Sequence, residues 1–154
     1  ICISGDGGLQ MNIQELQTIV HYNLPIKLFV LNNKGYLTIK ATQQNHFGRF
    51  VGAEESSGVT CPDIIKVATA YGLPTATIVN TEELNMKIDS ILQTPGPIVC
   101  EIIMSENQPL IPRVSSLKKP DGTIISKPIE DLYPFLSREE FFENMIVDPI
   151  EILK

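Results

Sequence analysis

Apolar residues recur along the chain in two rhythms. Ile1 to Ser4 is a short apolar run closed by glycines, the pattern of a buried strand. From Leu9 to about Tyr22 the apolar positions are Leu9, Ile13, Leu16, Ile19 and Val20, and steps of three and four describe one helix face. Asn23 and Pro25 end it. Ile26 to Leu31 predicts a second buried strand, stopped by the turn composition Asn32-Asn33-Lys34-Gly35. Tyr36 to about Gln44 predicts a short helix, and Gly48 to Thr60 reads as a loop. Thr60 as N-cap, Pro62 in the first turn and Asp63 at the positive end predict a helix start. Its apolar face is Ile64, Ile65, Val67, Ala68 and Tyr71, and Gly72 is its stop. Pro74 to Val79 is a third strand, Asn80-Thr81-Glu82-Glu83 has the form of a capping box for a helix reaching about Gln93, and Ile98 to Met104 is a fourth strand.

Strands alternating with helices predict an α/β fold, a mostly parallel sheet with helices on both faces. That organisation occupies residues 1–106. Beyond it, Pro109, Pro112, Pro120, Pro128 and Pro134 punctuate an irregular stretch. Pro120-Asp121-Gly122 predicts a turn, and Ser137-Arg138-Glu139-Glu140 opens a short helix to about Met145. Residues 107–154 therefore read as a C-terminal extension, with Tyr133, Phe135, Phe141 and Phe142 as its packing anchors or, equally, as contacts to another subunit. The first residue already lies within a strand pattern, without an initiator Met. The chain is thus expected to be part of a longer protein.

Charge narrows the function classes. The 18 acidic and 12 basic residues give a net charge of −6. Nucleic acid is not the expected partner, because phosphate backbones require clustered Lys and Arg. The Lys118-Lys119 pair is more simply a solvated loop. No apolar run approaches the ~20 residues of a membrane-spanning helix, so no membrane partner is expected, and the N-terminus lacks the basic start of a signal peptide. Cys2, Cys61 and Cys100 are scattered, with no metal-binding spacing. A reduced, cytoplasmic setting is the simplest expectation.

The candidate chemistry lies at the strand ends, where open parallel sheets bind ligands. Gly5-Asp6-Gly7-Gly8 follows the first strand as a loop, and Asn32-Asn33-Lys34-Gly35 follows the second. Either cluster alone is usually a plain turn. Together, with Asp6 and Asn33 27 positions apart, they offer a carboxylate and an amide oxygen, ligands suited to Mg2+ or Ca2+. Neighbouring strands would bring the two close. Glycines admit a phosphate to the backbone, and a following helix N-terminus favours its charge. The parts match a metal-bridged diphosphate site. A dinucleotide fingerprint does not fit, since Gln10 stands where Gly or Ala is required.

The stretch GDGGLQMNIQELQTIVHYNLPIKLFVLNNKGY resembles the thiamine-diphosphate motif, which begins Gly-Asp-Gly and ends Asn-Asn. Over roughly Ile1 to Met104 the chain resembles the C-terminal diphosphate-binding domain of the acetolactate synthase and pyruvate decarboxylase superfamily. The later PRVSSLKKPDGTIISKPIEDLYPFL resembles tails of acetolactate synthase-like members. The resemblance implies the thiamin diphosphate-binding fold, with thiamine diphosphate and Mg2+ as cofactors. It implies Asp6 and Asn33 as side-chain ligands of Mg2+ and the Gly35 carbonyl as a third. Gly5, Gly7 and Gly8 would lie along the diphosphate, with Tyr36 and Leu37 on its other side. Gly8 stands where many relatives have Ser or Ala.

The resemblance also implies a reaction: decarboxylation of a 2-oxo acid such as pyruvate and carboligation to an acceptor. The activating glutamate belongs to a pyrimidine-binding domain of the same or a neighbouring chain, so no catalytic residue is expected within this fragment, and the fragment alone is expected to be inactive. Glu15 is not that glutamate. Family members are homo-dimers or homo-tetramers. Pyruvate-type decarboxylases carry a glutamate three residues beyond the Tyr, where this chain has Ile39, which is closer to the acetolactate synthase pattern. Thr38 and Ile39 are the substrate-pocket candidates, although Ile39 reads equally well as a buried helix residue. His21 reads as a helix-end residue. His46, Gln43, Gln44 and Arg49 form either a lid or an ordered surface loop. Two alternatives stay open: another thiamine-diphosphate-dependent decarboxylase or sugar-pathway carboligase, and a non-catalytic Mg-phosphate-binding module.

Overall fold

The computed structural model describes residues 1–148. The chain divides into two compact units, Ile1–Gln108 and Pro109–Lys154. The first holds a four-stranded sheet of β1 (Cys2–Gly5), β2 (Lys27–Asn32), β3 (Thr75–Ile78) and β4 (Ile98–Ile103) in the order β1-β2-β4-β3. Every pairing is parallel, with Gly5 beside Leu31 and Asn32 beside Ile103.

The strands are buried on alternate sides, as the period of two requires. Leu28, Val30 and Val99 face a cluster with Leu9, Leu16, Ile64 and Ala68. Those four residues belong to α1 (Asp6–Met11), α2 (Glu15–His21) and α4 (Ile64–Ala70). Phe29, Ile98, Cys100 and Ile78 face the other side, against Leu84, Ile88 and Ile91 of α5 (Thr81–Gln93). Helices therefore cover both faces of a parallel sheet, as the alternating pattern predicts. α3 (Leu37–Phe47) and a single 3-10 turn, Glu55–Ser57, complete the unit.

Four element boundaries in this unit differ from expectation. Asp6, Gly7 and Gly8 are not a loop but the first turn of α1. Glycine is a poor helix former, yet here the first turn is fixed from outside by contacts of Asp6 and Gly7 described below. The helix expected from Leu9 to Tyr22 is broken at Asn12–Gln14, where N–H groups of Asn12, Glu15, Leu16 and Gln17 each bond three residues back. This tightening leaves Leu9 and Leu16 in one core cluster. α4 is capped by Asp63, not Thr60: its Oδ1 accepts the Lys66 N–H at 2.9 Å, and Pro62 lies outside the helix. Asn80 caps α5 through the Glu83 N–H at 2.8 Å. α3 runs three residues past Gln44 and ends on Gly48, whose φ of 64° suits glycine.

In the second unit, a hairpin of β5 (Ser116–Lys118) and β6 (Ile124–Ser126) flanks the Pro120-Asp121-Gly122 turn. The proline-rich pattern did not announce these strands, so Lys118 ends a strand and does not lie in a loop. α6 (Arg138–Glu143) is capped by Ser137, as expected, but ends before Met145. The final part of the expected extension, residues 149–154, lies outside the described residues. Of the four aromatic anchors, Phe141 is buried, whereas Tyr133, Phe135 and Phe142 remain partly exposed.

The polar centre of this unit is Asp131, 1% exposed. Arg138 reaches both its carboxylate oxygens, at 2.7 and 3.1 Å, and Lys127 reaches one at 2.8 Å. The Arg138 hydrogen bonds, supported by Lys127 and opposed by burial, hold the Asp131 carboxyl below the usual carboxylate range. A folded-state value below the unfolded one gives stability that is fully present above the unfolded value, about 4, and is lost as pH falls through the folded value. Urea unfolding of the second unit is therefore expected to weaken below about pH 4. An Asp131→Asn variant should lose much of that acid dependence. Equal acid slopes in both proteins would contradict the assignment.

Candidate functional site

The parallel pairing of β1 and β2 brings their C-terminal ends side by side, and Asp6 joins the segments that follow. It is 2% exposed. One carboxylate oxygen accepts the Gly7 N–H at 2.9 Å, and the other accepts the Gly35 N–H at 2.9 Å. The acid in the glycine cluster thus bridges two segments 29 residues apart. Burying an ionised carboxylate is costly unless a cation accompanies it. None of the ion pairs among the described residues involves Asp6. A hard cation would supply the missing charge, and the oxygen donors of Asp6, Asn33 and the Gly35 carbonyl are of the kind Mg2+ accepts.

The glycines are required by close contacts. A Cβ on Gly7 would lie 2.5 Å from Cδ1 of Tyr36, so the ring rests on the first turn of α1. A Cβ on Gly35 would lie 2.4 Å from the Ala53 carbonyl oxygen. That carbonyl accepts the Tyr36 N–H at 2.8 Å, and Gly35 and Glu54 form an antiparallel bridge. Gly35 is therefore held between Asp6 on one side and Ala53-Glu54 on the other. Gly5 and Gly8 are exposed, and Asn33, Tyr36 and Leu37 are half-buried. Thr38 and Ile39 lie exposed at the start of α3. Ile39, 38% exposed, is not the buried helix residue of the simpler reading.

His46 lies within α3, not in a loop, and Gln43 bonds the Val51 backbone in both directions at 2.9 Å. That pair of hydrogen bonds ties the segment after α3 back to the helix. His21 lies exposed at the end of α2, its ring 4.6 Å from that of Tyr22, and Glu15 is exposed at the start of the same helix.

Three residues near the site escaped sequence reasoning. Lys40, 9% exposed, pairs with Glu54 and donates to the Glu106 carbonyl at 3.1 Å. No local spacing marks this pair, because Glu54 lies in the loop beyond α3. Asn32, the first residue of the Asn-Asn pair, donates to Glu101 at 2.6 Å. Cys61 lies beside Asp6; burial first, and then the Asp6 charge, push its thiol above the usual range. Asn32, Cys61 and Glu101, with Lys34 and Asp63, line a cavity of about 570 Å3 at this end of the sheet.

Residues 1–102 match the family described as "Thiamine pyrophosphate enzyme, C-terminal TPP binding domain"; pyrophosphate and diphosphate are the same group. Curated relatives include an acetolactate synthase large subunit of Pyropia yezoensis, 35% identical over 83% of this chain and 22% of its own length. The large subunit of Cyanidium caldarium is 34% identical over 75% of this chain and 20% of its own length. A chloroplastic acetolactate synthase 1 of Zea mays is 32% identical over 74% and 19%. The chain spans about one-fifth of the length of these relatives. The match covers the whole four-stranded sheet except the last residue of β4, together with the Asp6–Gly35 junction, and the chain belongs to the thiamine pyrophosphate enzyme family as its C-terminal cofactor-binding domain.

Proposed function

We propose that this chain is the diphosphate-binding part of a thiamine-diphosphate- and Mg2+-dependent enzyme of the acetolactate synthase type. One observation carries the reading: a buried carboxylate, Asp6, joined to the Gly35 N–H and accompanied by no cationic side chain among the described residues. Asp6, Asn33 and the Gly35 carbonyl would hold Mg2+. The metal would in turn hold the diphosphate, as Mg2+ usually does with only one or two carboxylates of its own. Gly7 and Gly8 would lie along the diphosphate, the Tyr36 ring taking the place of a side chain at Gly7 and the Ser4 hydroxyl crowding that at Gly8. Thr38 and Ile39 stand exposed beside it, available to a substrate.

When bound, thiamine diphosphate supplies the electron sink for decarboxylating a 2-oxo acid such as pyruvate and joining the remainder to an acceptor. This chain's own share is binding and orientation. The glutamate that activates the cofactor would come from a pyrimidine-binding domain, in the same chain or a neighbour within a dimer or tetramer. The isolated fragment is therefore expected to turn over no pyruvate.

Product analysis tests the reaction. The full-length protein, given pyruvate, thiamine diphosphate and Mg2+, is expected to form acetolactate. Acetaldehyde as the sole product would shift the assignment to simple decarboxylation, and no cofactor-dependent pyruvate consumption would remove the acetolactate synthase reading.

A further inference from the structure

Asp6 is only as well placed as the Gly35 N–H that it accepts, and a chain of side-chain bonds from the neighbouring strand sets that turn. The Asn32 amide nitrogen donates to Glu101 Oε1 of β4 at 2.6 Å. Its carbonyl oxygen accepts the Lys34 N–H at 3.0 Å, an Asx turn. A carboxylate accepts hydrogen bonds and cannot donate them. Glu101 therefore fixes which end of the amide faces β4 and which end is left for the turn. The bond to a charged acceptor is also stronger than a neutral one. Lys34 sits in the left-handed region, at φ 61°, which is unfavourable for a side chain larger than glycine. The next N–H after Lys34 is that of Gly35, directed at Asp6.

We propose that Glu101 and Asn32 are positioning residues for the cofactor clamp: Glu101 orients the Asn32 amide, which holds Lys34 in the strained turn and delivers the Gly35 N–H to Asp6. Neither residue touches the metal or the diphosphate in this scheme. The proposal rests on the cofactor-binding reading above and adds to it a remote residue on β4. Outer residues that orient metal ligands typically account for about 10- to 100-fold in metal affinity. Glu101, several bonds away, is expected at the lower end of that range.

The test compares Asn32→Ala, Glu101→Leu and Glu101→Gln in the full-length protein, with two readouts. The first is hydrogen exchange of the peptide spanning residues 32–37 in protein free of cofactor. Asn32→Ala and Glu101→Leu should exchange faster there, whereas Glu101→Gln, which keeps an acceptor for the Asn32 amide, should stay near wild type. The second is Mg2+ affinity at saturating thiamine diphosphate. Asn32→Ala and Glu101→Leu should each bind about tenfold more weakly, their double variant no more weakly than Asn32→Ala alone, and Glu101→Gln should rescue. Asn32→Ala leaves β4 untouched, so it decides the matter if Glu101→Leu fails to fold. Wild-type exchange and affinity in folded Asn32→Ala would overturn the proposal. An Asp6→Ala protein that binds Mg2+ and thiamine diphosphate normally would instead overturn the cofactor reading itself.

Discussion

The Gly35→Ala protein is expected to lose cofactor affinity by about 100-fold and to be less stable than wild type. The added methyl would stand 2.4 Å from the Ala53 carbonyl oxygen, far inside van der Waals contact. That oxygen belongs to backbone and already accepts the Tyr36 N–H at 2.8 Å, so it cannot move aside without breaking the bridge between Gly35 and Glu54. The alternative is for Gly35 itself to shift, which withdraws its N–H from Asp6. Overpacking of this kind typically costs about 1–3 kcal/mol. Displacements near 1 Å of groups that position a reacting centre cost about 100-fold in function. Urea unfolding reads the first effect and calorimetric titration of thiamine diphosphate the second. Wild-type affinity in Gly35→Ala would mean that the turn is not held as described.

The second large effect is at Asp6, and there the two substitutions separate structure from binding. Asp6→Ala removes the acceptor of two N–H groups on buried residues, Gly7 and Gly35. Leaving such groups unsatisfied costs about 1–3 kcal/mol each, although the buried charge is removed with them. Asp6→Asn is nearly the same shape; its carbonyl can keep the Gly35 N–H, and its NH2 leaves only the Gly7 N–H without an acceptor. It gives up the negative charge that draws in a divalent cation. Asp6→Asn is therefore expected to unfold at a urea midpoint between those of Asp6→Ala and wild type while Mg2+ affinity falls beyond the ~10–100-fold that loss of an outer partner costs. If Asp6→Asn instead unfolded early and bound Mg2+ normally, Asp6 would be a structural residue and not a ligand.

The order of strands and helices in the first unit was legible because the two periodicities are strong there. β2 buries Leu28 and Val30 on one side and Phe29 on the other, and α5 carries a clear apolar face behind an Asn80 cap. What misled was local chemistry overruled by tertiary contacts. Glycines at 7 and 8 pointed to a loop. The Tyr36 ring above Gly7 and the Asp6 carboxylate fix a helical turn there. Thr60 and Asp63 are both acceptable caps, and only the fold decides between them. The meeting of the two strand ends was readable from the strand pattern, and Asp6 and Gly35 come together there. The residues that set the turn were not, because Glu101 lies on β4, far along the chain, and Lys40 finds Glu54 across a loop. The β5–β6 hairpin was hidden by its shortness, three residues on each side of a turn.

In the proposed site a metal ion joins Asp6 to a diphosphate. Calorimetric titration of thiamine diphosphate into the full-length protein, with Mg2+ present and again after chelation, tests it most directly. Saturable binding that depends on Mg2+ and is lost in the Asp6→Asn protein is the expected result. Equal affinity after chelation, or equal affinity in Asp6→Asn, would contradict it.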